Sequence, residues 1–336
     1  MPDPVVMTVA EVEALAERAL TRAGARPESA RSLAKAIAAA ERDGLSSHGL
    51  AYLATYCEHL QCGKVVGSVV PKVEQPAGAI VTVDAGSGFA HLAIDAGFAE
   101  LVPLARKLGI AGLAIRNSYN CGVLAYHTER LAAHGLVGLG FTNAPASIAP
   151  PGGLKPVFGT NPWSLAAPDG KGGIAFVIDQ SASAVAKSEV MKKARLGEPI
   201  PLGWALGPDG QPTADANVAL KGSMAPSGGY KGVGIALLVE TMAACLPGAA
   251  LGIHASPFSG PAGGPPRTGQ FFIAIDPGPT SGGGFAERIA GILGAYASQP
   301  DAKLPGSRRA ASRRRSDRDG VRVDPAIAEK VRALAG

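Results

Sequence analysis

Aromatic residues are scarce, at 5% of 336 positions, and there are only four cysteines. The shortage of rings, beside 45 glycines, argues against an interior built on large ring contacts and for an α/β core of small side chains and tight turns. Cys57, Cys62, Cys121 and Cys245 form no CxxC pair and do not space like a zinc ribbon or a disulfide framework. They read as reduced, mostly buried thiols, and no metal site is expected. No run of about 18 uninterrupted apolar residues occurs, and Met1-Pro2-Asp3-Pro4 lacks the basic and apolar regions of a secretory leader. The expectation is a cytoplasmic protein without a membrane partner.

Charge of one sign is also nearly missing once a single segment is set aside. The formal net charge is +5, but Arg308 to Asp319 holds six arginines and two aspartates, or +4 of it. Without interleaved aromatics this stretch reads as a mobile, solvated loop or a phosphate contact, not as a nucleic-acid surface.

The length suffices for two lobes with a cleft between them. Thr8 followed by Glu11 is a capping box that opens a helix through about Ala23. Helices over Ser29–Arg42 and about 50–61 follow. From Pro76 the texture turns to alternating elements: a strand at Ala79–Val83, a helix at Ala90–Leu108, a strand at Ile110–Arg116, a helix at Gly122–His134 and a strand at Leu136–Thr142. Further strands are expected at Ile174–Asp179 and Gln270–Ile275, with a long helix over Lys231–Leu246 between them. Helices at Phe285–Ser298 and Pro325–Ala335 close the chain. The Gly- and Pro-rich segments Ala144–Pro168 and Gly252–Gly269 look too irregular for regular elements and read as the lining of a site or interface.

Asp84-Ala85-Gly86-Ser87-Gly88-Phe89-Ala90-His91 resembles a glycine-rich dinucleotide turn, but His91 occupies the third small position and no acidic residue ends a following strand. A plain turn is the better reading. Ser46-Ser47-His48-Gly49 lies between two helices, where an imidazole is free to exchange protons near neutral pH. These four residues alone favour a helix cap beside a surface histidine. Asn117 to Gly122 follows an apolar strand, where α/β side chains meet ligands, yet the same residues can simply cap the next helix. Gly159-Thr160-Asn161-Pro162 and Val177 to Ser181 alone are ordinary turn chemistry. Gly228-Gly229-Tyr230-Lys231-Gly232 resembles a phosphate cradle at a helix start, and a glycine turn before a buried helix describes it equally well.

Taken in order, these segments resemble the malate/L-lactate dehydrogenase family, which is distinct from the Rossmann-type lactate and malate dehydrogenases. The telling pieces are residues 46–49, 116–122, 143–162, 177–183 and 228–240. The resemblance implies an α/β (α+β) fold with a non-Rossmann NAD(P)-binding lobe on a mixed or antiparallel sheet (76–295) and a helical lobe formed by both chain ends (1–75 with 296–336). It implies a homodimeric oxidoreductase acting on a small molecule. By the same match Ser47 and His48 would form the proton-donating pair. Asn120, Cys121, Gly122, Val123, Leu124, Ile178, Asp179, Gln180, Tyr230, Lys231, Gly306, Ser307 and Arg308 would line the cofactor, and Thr160 the substrate.

Members usually carry an arginine four residues after the histidine to hold the substrate carboxylate; here that position is Tyr52, which cannot form a bidentate charged pair. Asn120 stands where many members place a histidine. The wording of 117–122, 143–150 and 177–190 is similar to the subgroup that reduces the cyclic imines Δ1-pyrroline-2-carboxylate and Δ1-piperideine-2-carboxylate. There Glu189 falls near an acid that supports the histidine, with Lys187 as the alternative and as a further substrate contact. Arg308 and Arg309 suit an adenosine 2′-phosphate, which favours NADPH, with NADH as the alternative. A dehydrogenase of an open-chain 2-hydroxy acid is the second expectation.

Overall fold

The computed structural model describes residues 3–336. The chain opens with β1 (Val5–Met7), α1 (Val9–Arg22), α2 (Pro27–Arg42), a 3₁₀ turn at Ser46–His48 and α3 (Leu50–Gln61). The capping box holds: the Glu11 amide donates to Thr8 Oγ1 at 3.1 Å, and the Thr8 amide to the Glu11 carboxylate at 2.7 Å. Next come β2 (Lys72–Ala77), β3 (Ile80–Asp84), α4 (Ala90–Leu108), β4 (Ile110–Ser118), α5 (Leu124–Ala133), β5 (Val137–Thr142), β6 (Trp163–Pro168) and β7 (Ile174–Gln180). The second half holds α6 (Lys187–Leu196), β8 (Ala205–Leu206), α7 (Ala216–Lys221), β9 (Ser223–Met224) and α8 (Tyr230–Glu240), which runs on as a π-helical turn, Thr241–Cys245. It ends with β10 (Thr268–Ile275), α9 (Pro277–Ser281), α10 (Phe285–Ala297), α11 (Ser307–Asp319), β11 (Val321–Val323) and α12 (Pro325–Ala335).

Seven strands form one mixed sheet in the order β2-β3-β4-β10-β5-β6-β7, in which only β3 and β4 pair in parallel. This is not the all-parallel order of a dinucleotide fold. β2 is exposed along its whole length and carries Lys72, Glu74 and Pro76, the residues that blunt a sheet edge. The chain ends meet: β1 pairs antiparallel with β11, and α12 packs on α1 and α3 around Val12, Leu20, Leu33, Leu53 and Val331. A separate core around Val83, Ile94, Leu113, Leu131 and Phe272 lies beneath the sheet.

Three expectations are corrected. The arginine-rich stretch is a helix, α11, not a mobile loop, because its charges are matched by distant partners: Arg313 pairs with Asp43 and Glu129, and Asp317 with Arg42. Segment 144–168 is not wholly irregular, since Trp163–Pro168 pairs between β5 and β7. Of the thiols, Cys57 and Cys121 are buried but Cys62 and Cys245 are exposed; all four are free. The Asp84–Gly88 turn is structural. Asp84 accepts from the Gly86 amide and from Asn117 and pairs with Arg116, while a side chain at Gly88 would meet Val69 at 2.4 Å.

Candidate active site

The Ser46–His48 turn is tied down by Glu41 at the end of α2. Its buried carboxylate accepts the Leu50 amide at 2.7 Å, capping α3, and lies where any side chain at Gly49 would fall (2.3 Å from Glu41 Oε1). Burial pushes the Glu41 carboxyl above the usual range. The turn thereby presents Ser47 and His48, with Ser47 Oγ 3.1 Å from His48 Nδ1. The His48 ring keeps an open face but sits in a concave wall with protein on its other sides, and this desolvation lowers its pKa. In the free protein at neutral pH the imidazole is therefore neutral.

The cavity it faces measures about 350 Å³. Ser47, His48, Tyr52 and Tyr56 come from the helical side; Asn120, Cys121 and Gly122 from the loop after β4; Thr142 to Ser147, Thr160 and Pro162 from the loops around β5 and β6. Lys187, Ser188 and Met191 of α6 and Pro257 to Ser259 complete it. Two larger hollows, of about 500 Å³ between α2 and α11 and about 430 Å³ along α1, hold no such ensemble of hydroxyl, amide, imidazole and ammonium groups among the described residues.

Each wall has an identifiable anchor. Asn120 Oδ1 accepts from the Gly122 amide at 3.0 Å and from the Tyr56 hydroxyl at 3.2 Å, and Gly122 takes a left-handed φ of 66°. Cys121 is no nucleophile, since burial pushes its thiol up to about 12. The loops bearing Asn143 and Thr160 converge on the buried carboxylate of Glu240, which accepts from the Gly252 amide at 2.6 Å, Asn161 at 2.8 Å and Asn143 at 3.4 Å. The 257–260 wall hangs on the helical side through three side chains. Tyr52 donates to Phe258 O at 2.6 Å, Lys64 to Pro257 O and Gly260 O at 2.6 and 2.8 Å, and His59 Nε2 to Gly260 O at 3.1 Å. A carbonyl only accepts, so His59 carries its hydrogen on Nε2, and its Nδ1 accepts a hydrogen bond from the Tyr119 hydroxyl. Tyr52 has thus spent its hydroxyl proton on Phe258 and contributes mainly its ring to the cavity.

Lys187 forms no ion pair among the described residues, and desolvation lowers its pKa. Glu189, two residues on, does not line the cavity and makes no hydrogen bond to His48; it is an acidic residue in the first turn of α6, where the helix dipole favours it.

A second group of the residues singled out from sequence gathers beside the cavity. Asp179, near the end of β7, accepts the Ala125 amide of the first turn of α5 at 2.9 Å, and desolvation by the surrounding protein raises its carboxyl to about 6. Val123 and Leu124 lead into that turn, and Ile178 and Gln180 flank Asp179. Gly306 lies flat on β7: a β-carbon there would sit 2.7 Å from Val177 Cγ1. This brings Ser307 and Arg308, at the uncapped N-terminus of α11, to the same strand. Tyr230 and Lys231, at the exposed start of α8, line neither group.

The family profile of malate/L-lactate dehydrogenase matches residues 7–332. The chain belongs to that family. It is 42% identical to a (2R)-3-sulfolactate dehydrogenase (NADP(+)) of Chromohalobacter salexigens over 98% of both chains. It is 38% identical to a Δ1-pyrroline-2-carboxylate reductase of Ancylobacter novellus, over 99% of this chain and 98% of that one. The crystal structure of Δ1-piperideine-2-carboxylate reductase from Pseudomonas syringae superposes with a TM-score of 0.93 at 35% identity, covering 98% of this chain and 99% of that one. The family member described here is an NAD(P)-dependent oxidoreductase acting on a small molecule, and none of its helices is long and apolar enough to cross a membrane among the described residues.

Residues that sequence reasoning did not single out include Tyr56, Asn143, Phe258, Lys64 and Glu240. The first three lie in or beside segments read as site-lining or helical. Lys64 carries no local signal, and Glu240, the last residue of the 228–240 segment, gives no sign of its role, because the partners of both are far away in sequence.

Proposed function

We propose that this protein reduces cyclic 2-imino acids, Δ1-pyrroline-2-carboxylate and Δ1-piperideine-2-carboxylate, to proline and pipecolate. The observation that carries the reading is the cavity itself. It joins a Ser-His pair, a single free ammonium and a wall of Tyr52, Tyr56 and Phe258 with no arginine among its lining residues. A compact ring with one carboxylate suits such a space: its methylenes bury against aromatic carbon, and Lys187 gives the carboxylate its charged partner.

The groups beside the cavity fit a dinucleotide. Asn120 to Leu124 and Ile178 to Gln180 offer amide and carboxylate contacts, while the uncapped start of α11 with Ser307 and Arg308 suits a phosphate. Arg308 inclines the choice to NADPH over NADH. When bound, the reduced nicotinamide supplies hydride to C2 of the substrate. His48, held by Ser47, delivers a proton to the imine nitrogen. Because the free imidazole is neutral, it must be charged for this task, and the substrate carboxylate favours that charge. Thr160 faces the substrate, and Glu189 has no part in the proton path. We place Tyr230 and Lys231 at the cofactor's outer edge.

In this reading 1–75 with 296–336 serve as the helical lobe and 76–295 as the cofactor and substrate lobe, supported by the separate cores on the two sides. The protein works as a cytoplasmic homodimer. The exposed Leu237 and Leu238 on the largely apolar α8 support pairing of two copies. A nucleic-acid role for α11 is set aside, since Arg309, Arg313 and Arg318 are engaged with carboxylates. The second reading, an open-chain 2-hydroxy acid dehydrogenase, is favoured by the 42% likeness to the sulfolactate enzyme. His48→Ala tests the proton donor: turnover should drop by roughly 10²–10⁴-fold while cofactor affinity holds. Wild-type turnover would refute it.

A further inference from the structure

The arginine-rich helix α11 touches both halves of the site. At its start, Gly306 lies on β7 against Val177, two residues before Asp179 in the strand. At its middle, Arg313 donates to both oxygens of Asp43 at 2.8 and 2.7 Å and to Glu129 of α5 at 2.9 Å. Asp43 ends α2, only five residues before His48, and the next residue, Gly44, is packed so tightly against α11 that a side chain there would lie 2.7 Å from Ser312 Oγ. Glu129 stands on the helix whose first turn carries the Asp179 contact, and Arg309 approaches its other oxygen at 3.9 Å. The two carboxylates are nearly buried, with side-chain exposures of 9% and 14%. A line of alternating charges, Asp179, Arg309, Glu129, Arg313 and Asp43, thus runs from the dinucleotide side to the root of the Ser46–His48 turn.

We propose that Arg313 is a positioning residue for His48: by gripping Asp43 and Glu129 at once, it fixes the proton-donor turn relative to the α5 and β7 face. This rests on the assignment of His48 as proton donor. A guanidinium fork serves two carboxylates in a fixed plane, which an ammonium cannot do. Partial burial keeps the contact largely out of reach of salt. Loss of the grip lets the turn drift, and a drift on the order of 1 Å costs up to about 10²-fold in rate.

The test is a double-mutant cycle on the full-length protein with Arg313→Gln and His48→Ala, measuring kcat with pyrroline-2-carboxylate and the NADPH dissociation constant by fluorescence. Arg313→Gln is expected to lower kcat about tenfold or more and to shift cofactor affinity much less, with Arg313→Lys recovering part of the loss. In the His48→Ala background the same substitution should have almost no further effect, because the group it positions is gone. Asp43→Asn, which removes one arm of the grip, provides a milder variant with the same expected pattern. An equal loss in both backgrounds, no loss at all, or failure of both variants to fold would overturn the proposal and leave His48 standing. Unchanged turnover in His48→Ala would instead bring down the reading of the site itself.

Discussion

Acidification should destabilise this fold through one buried histidine. His91 is 1% exposed, beneath the Asn120–Gly122 loop, and neither ring nitrogen has a hydrogen-bond partner. It packs against His127, whose Nε2 donates to Cys121 O, and a β-carbon on Gly122 would lie 3.4 Å from His91 Nε2. Burial takes the imidazole from 6.5 down to about 4; Asp95 opposes the shift and Arg130 adds to it. The folded state therefore refuses a proton that the unfolded chain accepts. Stability is full above the unfolded value, falls as pH drops below it, and levels off below the folded value. Between neutral pH and pH 4 the loss attributable to His91 is about 3 kcal/mol, at 1.36 kcal/mol per unit. The assay is urea unfolding of the wild type and His91→Gln at both pH values. Titrating groups remote from His91 cancel between the two curves, so the difference reports His91 together with its effect on the adjoining His127. The variant should gain roughly 3 kcal/mol on the wild type on acidification. A difference independent of pH would refute the reasoning.

Lys187→Met should raise the substrate KM by about 10–100-fold, the worth of one charge-assisted bond, while the cofactor KM stays put; steady-state kinetics read this directly. Arg308→Ala should weaken NADPH by about tenfold and leave NADH unaffected, and equal losses for both would remove the 2′-phosphate contact. The rate of reduction should fall as pH rises through the pKa of His48 in the complex, and the reverse reaction should show the opposite trend, checked by paired pH profiles.

Local signals made much of the fold legible. The Thr8–Glu11 box, the β-branched run before Asp84 and the apolar strand before Asn117 each declare their element within a few residues. The arginine-rich segment could not be read this way. Its partners Arg42, Asp43 and Glu129 lie about half the chain away or more, so repulsion dominated the linear view while attraction dominates the folded one. The cavity is legible by company: His48 alone reads as a surface residue, and the ordered segments that carry Asn120 and Thr160 are the ones the fold brings to the same cavity. The partner of Tyr52 is not legible in the sequence, because its hydroxyl reaches Phe258, 206 residues away, across a loop without regular structure. Lys64 and Glu240 were hidden for the same reason. Each holds backbone or amide groups whose proximity only the fold creates.

The most direct test is NADPH oxidation by the purified protein with pyrroline-2-carboxylate, piperideine-2-carboxylate, oxaloacetate, pyruvate and 3-sulfopyruvate, measured side by side. The cavity predicts that the cyclic imines lead in kcat/KM by about tenfold or more. A lead for 3-sulfopyruvate or another open-chain oxo acid would contradict the account.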